Sequence, residues 1–168
     1  MLELIWHLRI YLQMALLLAL VLLALWRGAG PERWSALVFV GLLIVDRLYH
    51  QIAGRGALYG AMDIGHFCMD LVATVAFVAI ALRANRIYPL WLAGLQVTAV
   101  ISHIIRAISP AIAGGAYSIL MILPSYLQIV VFGVGIILHL RRIKKQPHYP
   151  SWLTSSPRSR VKEPHELP

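Results

Sequence analysis

Asp46 and His50 stand four residues apart, and Asp63, His66 and Asp70 follow one another at intervals of three and four. On a helix such spacings put the side chains on one face, so each set brings carboxylates beside an imidazole. His103 and Arg106 make a third pair, three residues apart, and His7 and Arg9 lie near the N-terminus. Carboxylate oxygen and imidazole nitrogen together form a donor set suited to zinc or another divalent metal. Two imidazoles from separate elements, His50 or His66 opposite His103, also suit the iron of a haem. Histidine titrates nearest neutral pH, so the same residues suit proton transfer. The bland alternative is structural: Asp46, Asp70, Arg47 and Arg106 pair as ions, with Asp70 and Arg106 as partners, while the histidines satisfy hydrogen bonds. The spacing permits a metal without being diagnostic of one, since no His-Glu-x-x-His motif is present, and no phosphate loop, catalytic triad or dinucleotide fingerprint accompanies it.

The elements that position these residues follow from composition. With 60% hydrophobic residues, 13% charged residues and a mean hydropathy of +0.74, the chain has too little polar surface to coat a soluble globule, which predicts an all-α integral membrane protein. A bilayer core needs roughly 20 apolar residues per span, and five such runs are delimited at about 5–26, 34–52, 64–82, 89–108 and 117–140. Gly28 to Pro31, the glycines from 54 to 60, Arg83 to Arg86 and Ser109-Pro110 are the breakers between them. Residues 1–145 are therefore expected to form a five-helix transmembrane bundle. Residues 146–168, rich in proline, serine and charge, read as a disordered tail. No room is left for a soluble catalytic domain. Cys68 is the sole cysteine, which excludes an internal disulfide and a cysteine cage for metal.

Charge then orients the bundle. The net charge of +8 and pI near 10.2 do not point to nucleic acid, because the basic residues sit at helix ends and in the tail. Threading five spans puts Arg27, Arg33, Arg83, Arg86 and the seven basic residues after Leu140 on one side, against Arg9, Arg47, Arg55 and Arg106 on the other. The positive-inside rule makes this an N-out, C-in protein of a bacterial inner membrane with a cytoplasmic tail. Removing the first run as a signal peptide would reverse that parity, so it is read as a true span. Trp26, Trp34, Tyr88 and Trp91 fall at the inner interface and Trp6, Tyr49, Tyr59 and Tyr117 at the outer one, an aromatic belt on each side.

In this map Asp46, His50, Asp63, His66, Asp70, His103 and Arg106 gather at the outer ends of three helices, with His7 offered by a fourth. At 1.5 Å rise per residue, Asp46, Asp70 and His103 lie about 6–9 Å inside the outer helix ends. An Asp or Arg at mid-membrane costs roughly 2.5–3.5 kcal/mol or more, so these side chains should face the bundle interior and one another. Pro124, Ser125 and Gln128 in the fifth span, with Gln96 and Thr98 in the fourth, are expected to form interhelical hydrogen bonds in preference to a translocation path.

The stretch Leu82-Arg83-Ala84-Asn85-Arg86-Ile87-Tyr88-Pro89-Leu90-Trp91 resembles a segment of small, uncharacterised inner-membrane proteins of alphaproteobacteria, a likeness that extends chiefly over residues 31–142. It implies the location and helix count alone. The function expected from the residues is a ligand-, ion- or proton-handling membrane component or accessory subunit with a polar cluster in the outer leaflet. The rival is a metal- or haem-dependent membrane enzyme or electron carrier using His50, His66 and His103. Expected partners are the lipid bilayer and either another membrane protein or a second copy of the chain.

Overall fold

The chain is all-helical in the computed structural model, which describes residues 2–53, 63–108, 114–146 and 149–153. Five helices follow one another: α1 (Leu2–Arg27), α2 (Gly30–Ala53), α3 (Ile64–Arg83), α4 (Tyr88–Ile108) and α5 (Gly114–Lys145). Each contains a segment long and apolar enough to cross a membrane. Helices adjacent in sequence pack against one another, and α1 also meets α5, so the five form a closed ring. Short loops enforce antiparallel neighbours.

Local chemistry accounts for the helix ends. At Gly28 an added Cβ would collide with the Ala24 carbonyl that accepts the Gly28 N–H, so glycine closes α1. Pro31, placed in the first turn of α2, loses nothing for lack of an N–H. Glu32 accepts the Ala29 N–H at 3.2 Å, a negative group at a helix start where the dipole favours it. Asp63 is the N-cap of α3: its Oδ1 accepts the backbone N–H groups of Gly65 at 2.9 Å and His66 at 3.2 Å.

The partition of side chains is the reverse of a soluble protein's. Leu12, Leu22, Val72, Val75 and Leu82 are all about two-thirds or more exposed, whereas Glu32, Ser35, Gln96, Ser102, His103, Gln128 and His139 are buried. Apolar side chains outward and polar ones inward is the distribution a bilayer selects, since a polar group facing hydrocarbon loses its hydration. At mid-bundle the interior is apolar: Phe39, Phe77 and Phe132 meet with ring centroids 5.3 and 5.1 Å apart around Phe39, beside Leu92 and Ile136.

Two expectations need correction at the basic end of the bundle. Tyr88 is buried against Phe132 and the open backbone at Gly135 and does not join the exposed Trp26, Trp34 and Trp91. The tail is also not without structure throughout. Residues 149–153 form a strap in which Asn85 N–H donates to the Ser151 carbonyl and Leu153 N–H to the Arg83 carbonyl. Tyr149 lies under both Arg86 and Arg142, at 4.9 and 4.7 Å from their guanidinium carbons. Trp152 covers Gly30, where a Cβ would run into the indole. Two cation–π contacts, an indole and two backbone bonds are more than polar composition alone reveals. Residues 154–168 lie outside the described residues.

Candidate metal centre

At the end of the bundle opposite the strap, α2 and the start of α3 bring three sequence-predicted residues together. Asp46 and His50 lie one turn apart on α2, and His66 reaches across from the first turn of α3. Asp46 Oδ1 is 3.2 Å from His66 Nε2 and 3.5 Å from His50 Nε2. The imidazole rings of His50 and His66 are 5.1 Å apart, and no two of the three ligand atoms are more than 4.8 Å apart. In a tetrahedral zinc site with bonds near 2.0–2.1 Å, ligand atoms sit about 3.4 Å from one another. Two of the three separations already match, and the third, between His50 and His66, is at most 4.8 Å.

A supporting shell stands behind these groups. His66 has its other ring nitrogen, Nδ1, 2.8 Å from Asp63 Oδ2, so one carboxylate fixes the ring while Nε2 faces Asp46. This is the carboxylate–histidine arrangement that orients metal-binding imidazoles. Tyr49 donates its hydroxyl to Asp63 Oδ1 at 2.7 Å, and its ring crosses Gly65, where a Cβ would strike it. Only glycine at 65 admits this contact. Burial by itself raises the Asp63 carboxyl, but the hydrogen bonds from Tyr49, the His66 ring and the His66 backbone outweigh it and hold the pKa at about 2. Asp63 is accordingly an anion at any physiological pH.

Asp70 and His103 belong to a second, deeper group. His103 Nε2 lies 3.1 Å from Asp70 Oδ2, with Phe67 edge-on to the imidazole. Gln96 donates to Asp70 Oδ1 at 2.7 Å, and Gln128 donates to Gln96 Oε1 at 2.6 Å. The amides thus form a directed chain from α5 through α4 to the carboxylate on α3, as expected of interhelical bonds, whereas Thr98, expected to bond between helices as well, donates to the Gly94 carbonyl of its own helix. The pairing of Asp70 with Arg106 expected from equal depth is not among these contacts; Asp70 turns to His103, one turn earlier on α4, and to Gln96. Arg106 is buried near His103 and has contacts of its own. Arg47 is exposed. The side chain of His7 lies outside the described residues, and Arg9 packs over Tyr126.

Between the two groups is a cavity of about 230 Å³, walled by Asp46 and His66 at one side and by Asp70, Gln96, Gln128 and Ser125 at the other. Pro124 also lines it. A proline within α5 removes a backbone donor, and Ser125 there donates to the Ile122 carbonyl and accepts from Gln13. The cavity has room for several waters or a small polar molecule. Comparison with family models, with curated proteins and with solved structures finds no match. The chemistry of the site therefore rests on its geometry.

Sequence reasoning missed a second buried ionic group at the basic end. Glu32 is fully buried; its Oε1 is 3.6 Å from Arg86 Nε and its Oε2 3.9 Å from His139 Nδ1. Ser35 and Tyr88 are buried with it, and the strap lies over Arg86. Arg86 reads in sequence as an orienting loop charge. The available signal was Glu32 directly after the helix-starting Pro31, matched at the same end by His139 in a helix long and apolar enough to cross a membrane.

Proposed function

We propose that this chain is a multi-pass protein of a bacterial inner membrane, C-terminus cytoplasmic, which holds a divalent transition metal, zinc first among them, on Asp46, His50 and His66 at its outer end. The convergence of one carboxylate oxygen and two imidazoles, with Asp63 fixing the His66 tautomer, is the observation that carries this reading. Five apolar helices and the charge asymmetry support the location. Among the described residues three ligands converge, so a tetrahedral ion held by them alone would keep a fourth position open, the feature that separates catalytic or transport sites from closed structural ones. A metal there would act as a Lewis acid toward a small polar ligand or bound water. The chain's own residues do the rest: Asp63 and Tyr49 orient His66, and Asp70 with its amide chain offers a hydrogen-bonded wall to whatever enters the cavity.

A haem spanning His103 and His50 or His66 has less support. His103 is engaged by Asp70, and His50 and His66 converge on one carboxylate oxygen with no gap for a porphyrin between them. Metal analysis of the purified protein tests the reading. One zinc per chain is expected, lost in Asp46→Asn and His66→Gln at unchanged membrane yield and retained in His103→Gln. Protein that takes up no zinc at micromolar free metal, or His103→Gln failing alongside Asp46→Asn, would remove the basis for the site.

A further inference from the structure

An apolar groove runs along the outside of the bundle between α2 and α3, beginning beside the metal ligands. Its walls are Val38, Gly41, Leu42 and Val45 on α2 and Cys68, Met69, Val72, Ala73 and Ala76 on α3, enclosing about 430 Å³. The α2 residues recur at three- and four-residue intervals, as one face of a helix requires, and Val45 directly precedes Asp46. From Cys68 to Ala76 the groove extends about 12 Å along the helix axis. Leu42 and Met69 line both this groove and the polar cavity that contains Asp46 and His66, so the two spaces share a wall.

Gly41 shows that the groove is left open. Small residues in membrane helices commonly let a neighbouring helix approach. Here a Cβ at Gly41 would meet nothing within 4 Å, so the glycine keeps space clear and brings no helix near. Val72 remains 69% exposed and Val45 48%. The groove lies within two candidate membrane spans, where the surrounding medium is hydrocarbon, and no polar side chain interrupts it. An apolar groove parallel to the spans, whose outer end at Val45 and Cys68 lies one residue from Asp46 and two from His66 in the chain, has the form of an amphiphile.

We propose that the groove seats an acyl chain of a phospholipid whose phosphate lies at the Asp46–His50–His66 site. This deepens the metal reading by naming the class of molecule that uses the site, and it rests on that reading for the phosphate end. An ion held by these three side chains would accept a substrate oxygen such as that of a phosphate as a further ligand, and Arg47 flanks the site on the same helix.

The experiment uses the full-length, zinc-loaded protein in phosphatidylglycerol vesicles doped with the same lipid carrying a photoreactive diazirine on one acyl chain. Adducts should concentrate on peptides containing Cys68, Met69 and Val72. Gly41→Trp should fill the groove and lower that labelling several-fold, because the indole takes the space an acyl chain would occupy, with zinc content unchanged. Ala76→Leu, a milder filling, keeps the test valid if the tryptophan variant does not insert. A diazirine diacylglycerol, which lacks the phosphate, should label the groove at least several-fold less. Labelling spread evenly over the exposed faces of all five helices, or unchanged in both groove variants, would overturn the groove. Diacylglycerol labelling equal to that of the phospholipid would overturn the phosphate end. Absence of zinc with groove labelling intact refutes the metal reading and leaves the acyl seat standing, so the two failures are told apart.

Discussion

Asp63 serves two roles that a pair of substitutions can separate. Its Oδ1 caps α3 by accepting the Gly65 and His66 N–H groups, while its Oδ2 holds His66 Nδ1 at 2.8 Å. Asparagine caps a helix about as well as aspartate, and alanine costs about 1 kcal/mol there. An orienting partner of a metal-bound histidine is worth about 10–100-fold in affinity. Asp63→Asn keeps the Oδ1 acceptor and removes the charge at the ring, so it should leave the start of α3 intact and weaken zinc binding by about 10–100-fold. Asp63→Ala should lose both, adding about 1 kcal/mol of destabilisation to the same weakening. Competitive titration against a chromophoric chelator measures the affinity, and amide exchange at Gly65 and His66 measures the cap. Zinc affinity unaltered in both variants would refute the claim that Asp63 orients a ligand. Equal loss of amide protection in Asn and Ala would refute the separation of roles.

The pH dependence of the metal-free protein follows from the same residue. A carboxyl lowered from 3.8 to about 2 on folding contributes stability that is complete above the unfolded value and lost as pH falls through about 2. Thermal melts of wild type should therefore fall relative to those of Asp63→Asn between about pH 4 and 2; parallel profiles would contradict the depressed value. At the other end, Glu32→Ala strands the buried Arg86 and should destabilise by about 3–5 kcal/mol, more than Glu32→Ala combined with Arg86→Met, a comparison that unfolding in mixed detergent can make. Trp152→Ala frees Gly30 of its cover, and limited proteolysis should cut after residue 145 several-fold faster than in wild type. Reporter fusions after Leu153 should behave as cytoplasmic, and an external reporter would invert the assignment of ends.

The five helices were legible because a hydrocarbon solvent imposes one length and one composition on every span, and glycine, proline and charge mark the gaps. The notional start of the second helix at 34 fell short of Gly30, because Pro31 and Glu32 read as loop residues when their helical role depends on the cap at Ala29. Spacing put Asp46 and His50 on one face of a helix and grouped His66 with Asp63 and Asp70; the approach of His66 to Asp46 comes from the packing of α3 on α2, which spacing does not encode. The partner of Asp70 was not legible either, because two candidates one turn apart on α4, His103 and Arg106, differ by rotation around the helix, and rotation is set by packing. The Glu32 group eluded sequence reasoning for a related reason: its members come from α2, the loop before α4 and the end of α5, far apart in the chain, and each has an ordinary explanation when taken singly. The strap was masked by composition, because Tyr149 and Trp152 sit among prolines and serines.

The two buried polar groups bear on whether the chain moves a solute or acts on one. A translocation path would need polar contact from the Asp46–His66 cavity to Glu32, and the amide chain does carry polarity inward from Asp70 through Gln96 to Gln128. Between the Gln128 region and Ser35, however, stand Phe39, Phe77 and Phe132, each at most 5% exposed, with the Phe39 ring in contact with both others. An aromatic triad offers an ion no polar partner, so an ion crossing it would lose its hydration at a cost of many kcal/mol. Passage would require the rings to part, whereas Asp46, His50 and His66 stand at one end of the bundle and are partly exposed among the described residues. A site used from one end would need no such parting, and substituting Phe77 by alanine distinguishes the alternatives. A one-sided site keeps its zinc affinity and gains no zinc flux into sealed vesicles, while a blocked path gains flux.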